Sequence, residues 1–357
     1  MTGGALEARA LSIADGAIAP DSGRIVDLDG YILAPGLVDL HAAPHTVEMP
    51  LGAPALDLDQ VQQDAAAAGI TTVWLGQRWP LSGQDARAAL AALRDLRDAR
   101  ACARIDLRTQ VIVDTPLQAG VSELILAIEQ GLVDFLCIET GVTGAGKPAL
   151  RPVASDAGGK ERQSKPNGSV TRELCRIADS LEASYLPFGS FGDPDGDTRA
   201  RFSMIGAKVA IAPQGKTAIR AAGAVGDPVV LRACGDDFET PGALHALVAD
   251  AVEKRHWFVL ASGKRFGATA ERVWNLADHG VLDLPKAWTL ASARPAKTMG
   301  LCDRGVLETG RRADVVVLNA TTRQIEATIA GGRLVFQMGH AGRSLMAAAG
   351  HLTYAAE

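Results

Sequence analysis

The sequence contains few of the residues that build disulfide frameworks and metal sites. Its five cysteines (102, 137, 175, 234 and 302) are odd in number and never form a CxxC pair, which argues against a disulfide framework and against a four-cysteine zinc site. Aromatic residues make up only 4% of the 357 residues. There are seven histidines, and none lies between His45 and His245. We therefore expect reduced cysteines and a chain whose middle offers no histidine to a metal.

Long apolar runs and an excess of charge are also missing. No stretch approaches the roughly 18 apolar residues of a membrane-spanning helix, and the first residues lack the pattern of a signal peptide. The formal net charge of −5 does not suggest a nucleic acid or a membrane surface as partner. Hydrophobic residues make up 47% of the chain, which is normal for a folded protein. We expect a cytoplasmic protein, and the sequence leaves open whether it forms a homo-oligomer.

Short apolar runs alternate with helical stretches through the middle of the chain. The helical stretches carry apolar residues at i, i+3 and i+4 spacing. The eight runs predicted as strands are residues 37–41, 71–75, 105–113, 133–139, 184–188, 208–212, 228–234 and 257–261. Eight strand–helix units in succession predict an α/β fold, a (β/α)8 barrel of the TIM type. An open, doubly wound sheet is the main structural alternative.

Both ends of the chain predict β structure. Residues 5–33 alternate loosely and contain Asp-Gly turn signals, and residues 306–337 return to strand character after the last helical stretch. The predicted units are a small β-sandwich-like domain built from 1–33 and 304–340, the barrel at 34–303, and a C-terminal tail at 341–357.

One internal segment breaks the strand–helix pattern. Residues 141–168 are rich in Gly, Ala, Pro, Ser and Lys and show no periodicity. The segment follows the fourth predicted strand, so it emerges on the barrel face that carries active sites. Its excess of Lys and Arg suits an anionic ligand, although a solvated loop is the more ordinary interpretation.

Three stretches carry motifs in a consistent order and spacing. They are APGLVDLH at 34–41, AGITTV at 68–73, and the pair ASARPAKTMGLCDRG and GVLETGRRADVVVLNA at 291–320. The first resembles a PG-x-x-D-x-H entry into a first barrel strand. The last resembles an NPA-x-x-LGL segment followed by a return strand. Together they resemble the amidohydrolase superfamily of metal-dependent hydrolases, which implies a barrel flanked by a small β domain.

Three longer segments narrow the resemblance to one branch. They are residues 174–193, 226–252 and 256–296. They look like the PhnM-like phosphonate branch, ribose 1-methylphosphonate 5-triphosphate diphosphatases of the carbon–phosphorus lyase pathway. The resemblance implies hydrolysis of a phosphorylated substrate.

The metal ligands that the resemblance implies are mostly replaced. The superfamily places His-x-His on strand one, a carboxylate or modified Lys on strand four and a catalytic Asp on strand eight. Here His41 is followed by Ala43 in the second position, strand four ends in Glu139, and Gly263 stands where the Asp is expected. His45 lies four residues beyond His41. We expect no metal, or one weakly bound divalent ion (zinc, iron or manganese) at His41, Glu139 and His45.

Several cations follow the predicted strands on the same face. They are Lys264 and Arg265 after strand eight, Lys216 after strand six and Arg78 after strand two. Phosphate sites at the last strands of such barrels are common, so these side chains predict an anion site. Pairing with Asp114, Asp236 and Asp237 is the equally weighted alternative.

The segment AIAPQGKT at 210–217 fits a relaxed P-loop pattern. It follows an apolar run and precedes a helix, as a phosphate-binding loop does. Pro213 removes one backbone donor from such a cradle. An anion site at the helix N-terminus, with Gly215 and Lys216, is the simpler interpretation.

Three functions follow from these residues. The first is a divergent, metal-poor amidohydrolase-like protein that binds a phosphorylated sugar, a phosphonate or a partner. The second is an active metal-dependent hydrolase, a diphosphatase or C–N hydrolase, with a reduced site. The third is a nucleotide-binding protein that uses residues 210–217. Whether the chain is an enzyme stays open at this point, because no catalytic Asp is found.

Overall fold

The computed structural model describes most of the chain. The described residues are 6–8, 10–20, 25–43, 57–80, 85–114, 120–140, 142–143, 147–148, 168–234 and 241–350. His45, Asp236, Asp237 and most of the 141–168 segment lie outside them. No helix in this described part is long and apolar enough to cross a membrane.

The secondary structure alternates strands and helices through the middle of the chain. The strands are β1 (Ser12–Ala14), β2 (Ala17–Ala19), β3 (Tyr31–Pro35), β4 (Leu37–Ala42), β5 (Ile70–Arg78), β6 (Asp106–Asp114), β7 (Phe135–Glu139), β8 (Val142–Thr143), β9 (Lys147–Pro148), β10 (Phe188–Phe191), β11 (Val209–Ile211), β12 (Val229–Cys234), β13 (Phe258–Gly263), β14 (Val315–Asn319), β15 (Ile325–Ala330) and β16 (Arg333–Gln337). The helices are α1 (Leu58–Ala67), α2 (Ala86–Ala99), α3 (Val121–Glu129), α4 (Gly168–Ala183), α5 (Gly196–Met204), α6 (Lys216–Val225), α7 (Pro241–Glu253), α8 (Ala268–Asp278), α9 (Leu284–Thr289), α10 (Ala293–Thr298) and α11 (Gly339–Gly350). A short 3-10 helix at Arg100–Cys102 follows α2.

Eight parallel strands close into a barrel in the order β4-β5-β6-β7-β10-β11-β12-β13. Closure occurs where Gly263 at the end of β13 pairs with Ala42 of β4. The predicted (β/α)8 barrel is therefore confirmed, and the open doubly wound sheet is wrong because that last pairing leaves no edge strand. Parallel strands align their carboxyl ends at one end of a barrel, which is where active sites of this fold class form.

The fifth barrel strand begins later than predicted. The sequence suggested 184–188, whereas the structure places β10 at Phe188–Phe191. Tyr185 has a positive φ of 51° and belongs to the turn after α4. The strand was not recognised at Gly189, because glycine has low strand propensity. Gly189 is required there, since a Cβ atom would lie 2.4 Å from the carbonyl oxygen of Val209.

Alternation along the strands divides apolar residues between the barrel interior and the helix layer. Trp74, Ile112 and Phe135 belong to a buried cluster inside the barrel. Their neighbours Val111 and Leu136 pack outward with the helices. Because side chains alternate along a strand, every second side chain points inward. The inward-facing side chains at the carboxyl ends of the strands therefore line the barrel mouth.

A four-stranded antiparallel sheet, ordered β16-β15-β14-β3, joins residues from both ends of the chain. Its register places Val315 opposite Pro35 and Asn319 opposite Tyr31. The β1–β2 hairpin lies apart, as a two-stranded sheet. The small β-domain expected from both termini is thus built largely from this four-stranded sheet. A hydrogen bond from Trp288 Nε1 to the Pro35 carbonyl oxygen (2.9 Å) ties the sheet to the barrel.

Candidate functional site

Three charged side chains meet at the carboxyl ends of β5, β6 and β7. Asp114 and Glu139 are the last residues of β6 and β7 and pair in register. Arg78 ends β5, and its Nη1 donates to Asp114 Oδ1 at 2.9 Å and also to Glu139 Oε2. Nη2 donates to Glu139 Oε1 at 3.4 Å. The Arg78 guanidinium therefore bridges both carboxyl groups; we refer to these three residues as the Arg78 cluster.

The cluster separates the two carboxyl groups in their protonation behaviour. Burial, followed by the neighbouring Glu139 carboxylate, raises the pKa of Asp114 to about 7, although Arg78 opposes the rise. Burial also tends to raise the pKa of Glu139. Hydrogen bonds from Asp114 and Arg78 and the charge of Arg232 outweigh this effect, so the pKa of Glu139 is lowered. At neutral pH, Glu139 is therefore ionised, whereas Asp114 is partly protonated.

His41 lies at the end of β4 and is held by Gln110 of β6. The distance from His41 Nδ1 to Gln110 Oε1 is 2.6 Å. Gln110 Nε2 donates to the Leu40 carbonyl oxygen (3.3 Å) and to Cys137 Sγ (3.1 Å), so its oxygen faces the imidazole. An amide oxygen only accepts, so His41 Nδ1 carries the hydrogen. His41 is 1% exposed and its ring packs against Phe191, with centroids 5.2 Å apart.

Gly263 ends β13, at the position where the resemblance to the amidohydrolase superfamily implies a catalytic Asp. Its φ of +67° is in the left-handed region, and a Cβ atom would lie 2.1 Å from the carbonyl oxygen of Cys234. An aspartate cannot occupy this backbone without a shift of β12. The nearby Asp39 is fully buried and accepts from the Ser262 amide at 3.1 and 3.2 Å. Asp39 also accepts from the His41 amide at 3.1 Å, and burial raises the pKa of this carboxyl group.

The end of β10 holds a buried ion network. Asp193 Oδ1 accepts from Thr140 Oγ1 at 2.8 Å, and Asp193 Oδ2 accepts from Ser190 Oγ at 2.5 Å. Arg199 of α5 lies 3.4 Å from Asp193 and 3.0 Å from Asp227, and its side chain is fully buried. The two carboxylates share this one guanidinium, and hydroxyl groups of Thr140 and Ser190 also donate to Asp193, which favours a structural role for Asp193.

The P-loop-like segment has the predicted strand–loop–helix context but few amide donors to offer. β11 ends at Ile211 and α6 begins at Lys216, with Gly215 as its N-cap. Pro213 has no N–H, and the Gln214 N–H already donates to the Asp193 carbonyl oxygen at 2.9 Å. Lys216 is exposed at the first position of the helix. The segment therefore offers a helix end and one cation, and two of its amides contribute nothing to a phosphate cradle.

The predicted group of cations is only partly assembled. Arg265 forms a two-point ion pair with Glu271 at 2.6 and 2.5 Å, so its charge is matched on the outer surface. Lys264 is half-buried just after β13, where its amide donates to the Cys234 carbonyl oxygen at 3.2 Å. The Arg232 guanidinium of β12 lies 5.3 Å from the ring centre of Phe191. Arg78 follows the alternative interpretation, since it pairs with Asp114.

The donor set of the described residues does not fit a resident divalent metal. A catalytic zinc takes about three protein ligands. Within the described residues, no group of three or more His, Cys, Asp and Glu side chains is placed to hold a metal. Of the predicted ligands, Glu139 is bound through both oxygens by Arg78, and His41 uses Nδ1 for Gln110. His45 lies outside the described residues, so its prediction stays as it was.

Gln110 and Arg232 were missed from the sequence, although strand alternation could have indicated them. Gln110 and Asp114 are four residues apart on β6, so they share the inward face with Ile112. Arg232 similarly follows Val230 on the inward face of β12. Arg199 offered no such signal, because the charge of a helix residue does not reveal whether the helix buries it.

The comparisons with known proteins match the fold and not the sequence. No family model matches the chain, and no curated protein matches it. Solved structures do match over nearly the whole length, at low identity. The β-aspartyl dipeptidase of Fervidobacterium islandicum is 14% identical, with a TM-score of 0.65, over 92% of this chain and 92% of that one. The dihydropyrimidinase of Brevibacillus agri is 14% identical, with a TM-score of 0.65, over 93% of each chain.

A third match has a phosphorylated sugar in its name. The N-acetylglucosamine-6-phosphate deacetylase of Thermotoga maritima is 16% identical, with a TM-score of 0.61, over 92% of this chain and 95% of that one. At such identities a likeness establishes the fold alone. The chain therefore has the fold of amidohydrolase-type (β/α)8 barrel proteins, with the small antiparallel sheet that accompanies the barrel.

Proposed function

We propose that this protein binds a small phosphorylated or phosphonate ligand at the mouth of its barrel, without the metal-dependent hydrolysis that its sequence resemblance implies. The observation that carries the proposal is the Arg78 cluster. A guanidinium bonded to Asp114 and Glu139 supplies the positive charge that a metal would otherwise supply to these carboxyl groups. A metal would have to displace an ion pair, which lowers its affinity.

The charge at the barrel mouth favours an anion. Arg232 acts on Glu139 from β12, and Lys264 and Lys216 follow β13 and β11. Against these cations stands Glu139, together with Asp114, whose pKa is about 7. Planar guanidinium groups bind phosphate and phosphonate oxygens through paired hydrogen bonds, and lysines add point charges. The deacetylase named above has a sugar phosphate in its name, which supports the ligand class proposed for this chain.

Hydrolysis has little support from these residues. Gly263 supplies no general base on β13, and a positioned base typically contributes about 10²–10⁴-fold to a rate. The reduced metal site with His41, Glu139 and His45 remains the second candidate, because the imidazole of His41 is fixed at the mouth by Gln110. The nucleotide-binding alternative is weakened by Pro213 and by the engaged amide of Gln214.

A metal count separates the first two candidates. The protein is purified without chelators, and zinc, iron and manganese are measured by inductively coupled plasma mass spectrometry. We expect less than a tenth of an equivalent of any of them, roughly the level expected from a labile site. A full equivalent that disappears in His41→Ala would overturn the metal-free proposal and support the reduced hydrolase. Arg78→Met is the informative companion, since it removes the cation from both carboxyl groups and should raise zinc uptake.

A binding titration tests the ligand class. Ribose 5-phosphate, methylphosphonate and pyrophosphate are titrated by isothermal calorimetry, with ribose as the uncharged control. We expect binding of the phosphorylated probes and about tenfold weaker binding in Lys264→Ala and Arg232→Ala, since a hydrogen bond to a charged group contributes about 1.5–3 kcal/mol. Lys286→Ala is the matched control, because Lys286 is exposed on α9 and pairs with Asp283. Equal affinity in all these variants would refute the anion site.

A further inference from the structure

Four consecutive helix ends lie at the end of the barrel opposite its mouth. They are the turns that lead from α4 into β10, from α5 into β11, from α6 into β12 and from α7 into β13, so they lie at the amino-terminal ends of these strands. The four strands are neighbours in the barrel, and the four turns therefore lie side by side in the same order. We refer to residues 182–187, 203–208, 223–228 and 252–257 as the amino-terminal rim.

All four turns of the rim have the same backbone geometry. In each turn, one residue has a positive φ and donates its amide hydrogen to the carbonyl oxygen three residues earlier. The next amide donates to the carbonyl oxygen five residues before it. The φ angles are 51° at Tyr185, 99° at Gly206, 77° at Gly226 and 58° at Arg255. At this kind of helix end the residue with positive φ is usually glycine.

Tyr185 and Arg255 depart from this preference at the two outer turns. Left-handed backbone is strained for a residue with a bulky side chain, whereas the two inner turns have glycine. Burial does not compensate the strain, because Tyr185 is 94% exposed and Arg255 is exposed as well. Strained residues concentrate at functional sites, and tyrosine and arginine are enriched among the residues that dominate binding between proteins. Both residues therefore fit a contact with another protein better than a role in the fold.

Apolar side chains are exposed at the two inner turns, between Tyr185 and Arg255. Met204 is 85% exposed at the end of α5, and Ile205 follows it on the surface. Val225, at the end of α6, is 59% exposed. α5 packs against α6, so these side chains lie on neighbouring helix ends. Exposed apolar groups that lie together indicate an interaction surface.

We propose that the amino-terminal rim binds the rim of a second copy of this chain, across a two-fold axis that passes between α5 and α6. An interface of this symmetry must complement itself, because each contact occurs twice. The α4 end of one rim would face the α7 end of the other, which brings Tyr185 and the exposed Glu182 against Arg255. An aromatic ring and a carboxylate both attract a guanidinium. The apolar centres of the two rims would pack against each other.

The order of the turns is what favours a second copy as the partner. The acidic and aromatic groups stand at one end of the rim, the guanidinium at the other end and the apolar side chains between them, so one rim carries the complement of another. The rim lies opposite the barrel mouth. The dimer therefore does not depend on the anion site, and either proposal can fail without the other.

Tyr185→Gly separates a role in dimerisation from a role in the fold. Glycine relieves the left-handed strain, so the variant should unfold at a urea concentration no lower than that of the wild type. The same variant should dimerise about tenfold more weakly, because it loses an anchor of the interface. Dimerisation of the full-length protein is measured by sedimentation velocity, at concentrations from micromolar to hundreds of micromolar. We expect the wild type to dimerise within this range.

Two methionines provide a matched pair of variants. Met204→Ser removes an exposed apolar side chain from the centre of the rim and should weaken the dimer about tenfold. Met346→Ser is the control, because Met346 is also exposed but lies on α11, which packs against β15 and β16. It should leave the dimer unchanged.

A charge exchange tests the two-fold arrangement itself. Glu182→Arg and Arg255→Glu should each weaken the dimer, and the double variant should recover most of the affinity, because the pair is restored with its charges exchanged. The proposal is overturned if the wild type stays monomeric throughout the concentration range, or if Tyr185→Gly and Met204→Ser dimerise as the wild type does. It is also overturned if the double exchange dimerises no better than the single variants. A monomer that binds phosphatidylserine vesicles through the rim would overturn it in favour of a membrane surface.

Discussion

Replacement of Gly263 tests whether the backbone itself closes the position at which the resemblance implies a catalytic aspartate. A Cβ atom at Gly263 would lie 2.1 Å from the Cys234 carbonyl oxygen, more than 1 Å inside the 3.4–4 Å of ordinary contact. Gly280, at the end of α8, has the same φ of +67° but nothing within 4 Å of its Cβ position. A side chain at either glycine would therefore carry the same cost of a left-handed backbone. Only at Gly263 would it also clash with neighbouring atoms.

The expected losses follow from that difference. Gly280→Ala should cost about 1–2 kcal/mol of unfolding free energy, the cost of placing a side chain in the left-handed region. Gly263→Ala adds the displacement of β12 or β13, about 1–3 kcal/mol for an overpacked site, so the total is about 2–5 kcal/mol. Gly263→Asp should lose at least as much and should gain no hydrolytic activity. The assay is urea unfolding followed by circular dichroism.

The result that would refute this reasoning is equal destabilisation in the two alanine variants. It would mean that β12 and β13 can separate at Gly263 without cost, and that the loss of the aspartate is not enforced by the fold. A stable, metal-binding Gly263→Asp variant would refute it more directly.

Three further predictions concern the charged networks. Arg199→Met leaves Asp193 and Asp227 buried without their cation, so it should cost about 3–5 kcal/mol in urea unfolding; a loss under about 1 kcal/mol would contradict the network. The raised pKa of Asp114, about 7 against 3.8 in the unfolded chain, stabilises the fold at low pH. This contribution should therefore fall as pH rises from about 4 to 7, and Asp114→Asn should remove that slope when the two proteins are compared; identical slopes would contradict the shift. Arg78→Met should raise the pKa of Asp114 further, as measured by carboxyl ¹³C titration; an unchanged midpoint would mean that Arg78 does not act on it.

The barrel could be predicted from the sequence because its signal repeats. Seven of the eight predicted strands overlap the observed ones along most of their length, since buried parallel strands read as apolar runs. The predicted position of the fifth strand was wrong, because Gly189 is required there by its close approach to Val209 and glycine has low strand propensity.

The site was less predictable, because its chemistry depends on which charges meet across strands. Arg78 and Glu139 are 61 residues apart, and no local sequence pattern indicates that the guanidinium donates hydrogen bonds to this carboxylate. The sequence alone allowed each metal-ligand position implied by the resemblance to be compared with the residue present there, such as Gly263. The ion pairs of Arg78 with Asp114 and Glu139 are visible only once β5, β6 and β7 stand side by side.

The pairing of β3 with β14 has a consequence for synthesis of the chain. β3 and β4 are made early, but their partners β14 and β13 belong to the last third of the chain. Until then the nascent chain presents two strands with open edges, the arrangement that invites pairing with other chains. We therefore expect the newly made protein to depend on chaperones more than its native stability suggests, and a version truncated before Val315 to aggregate.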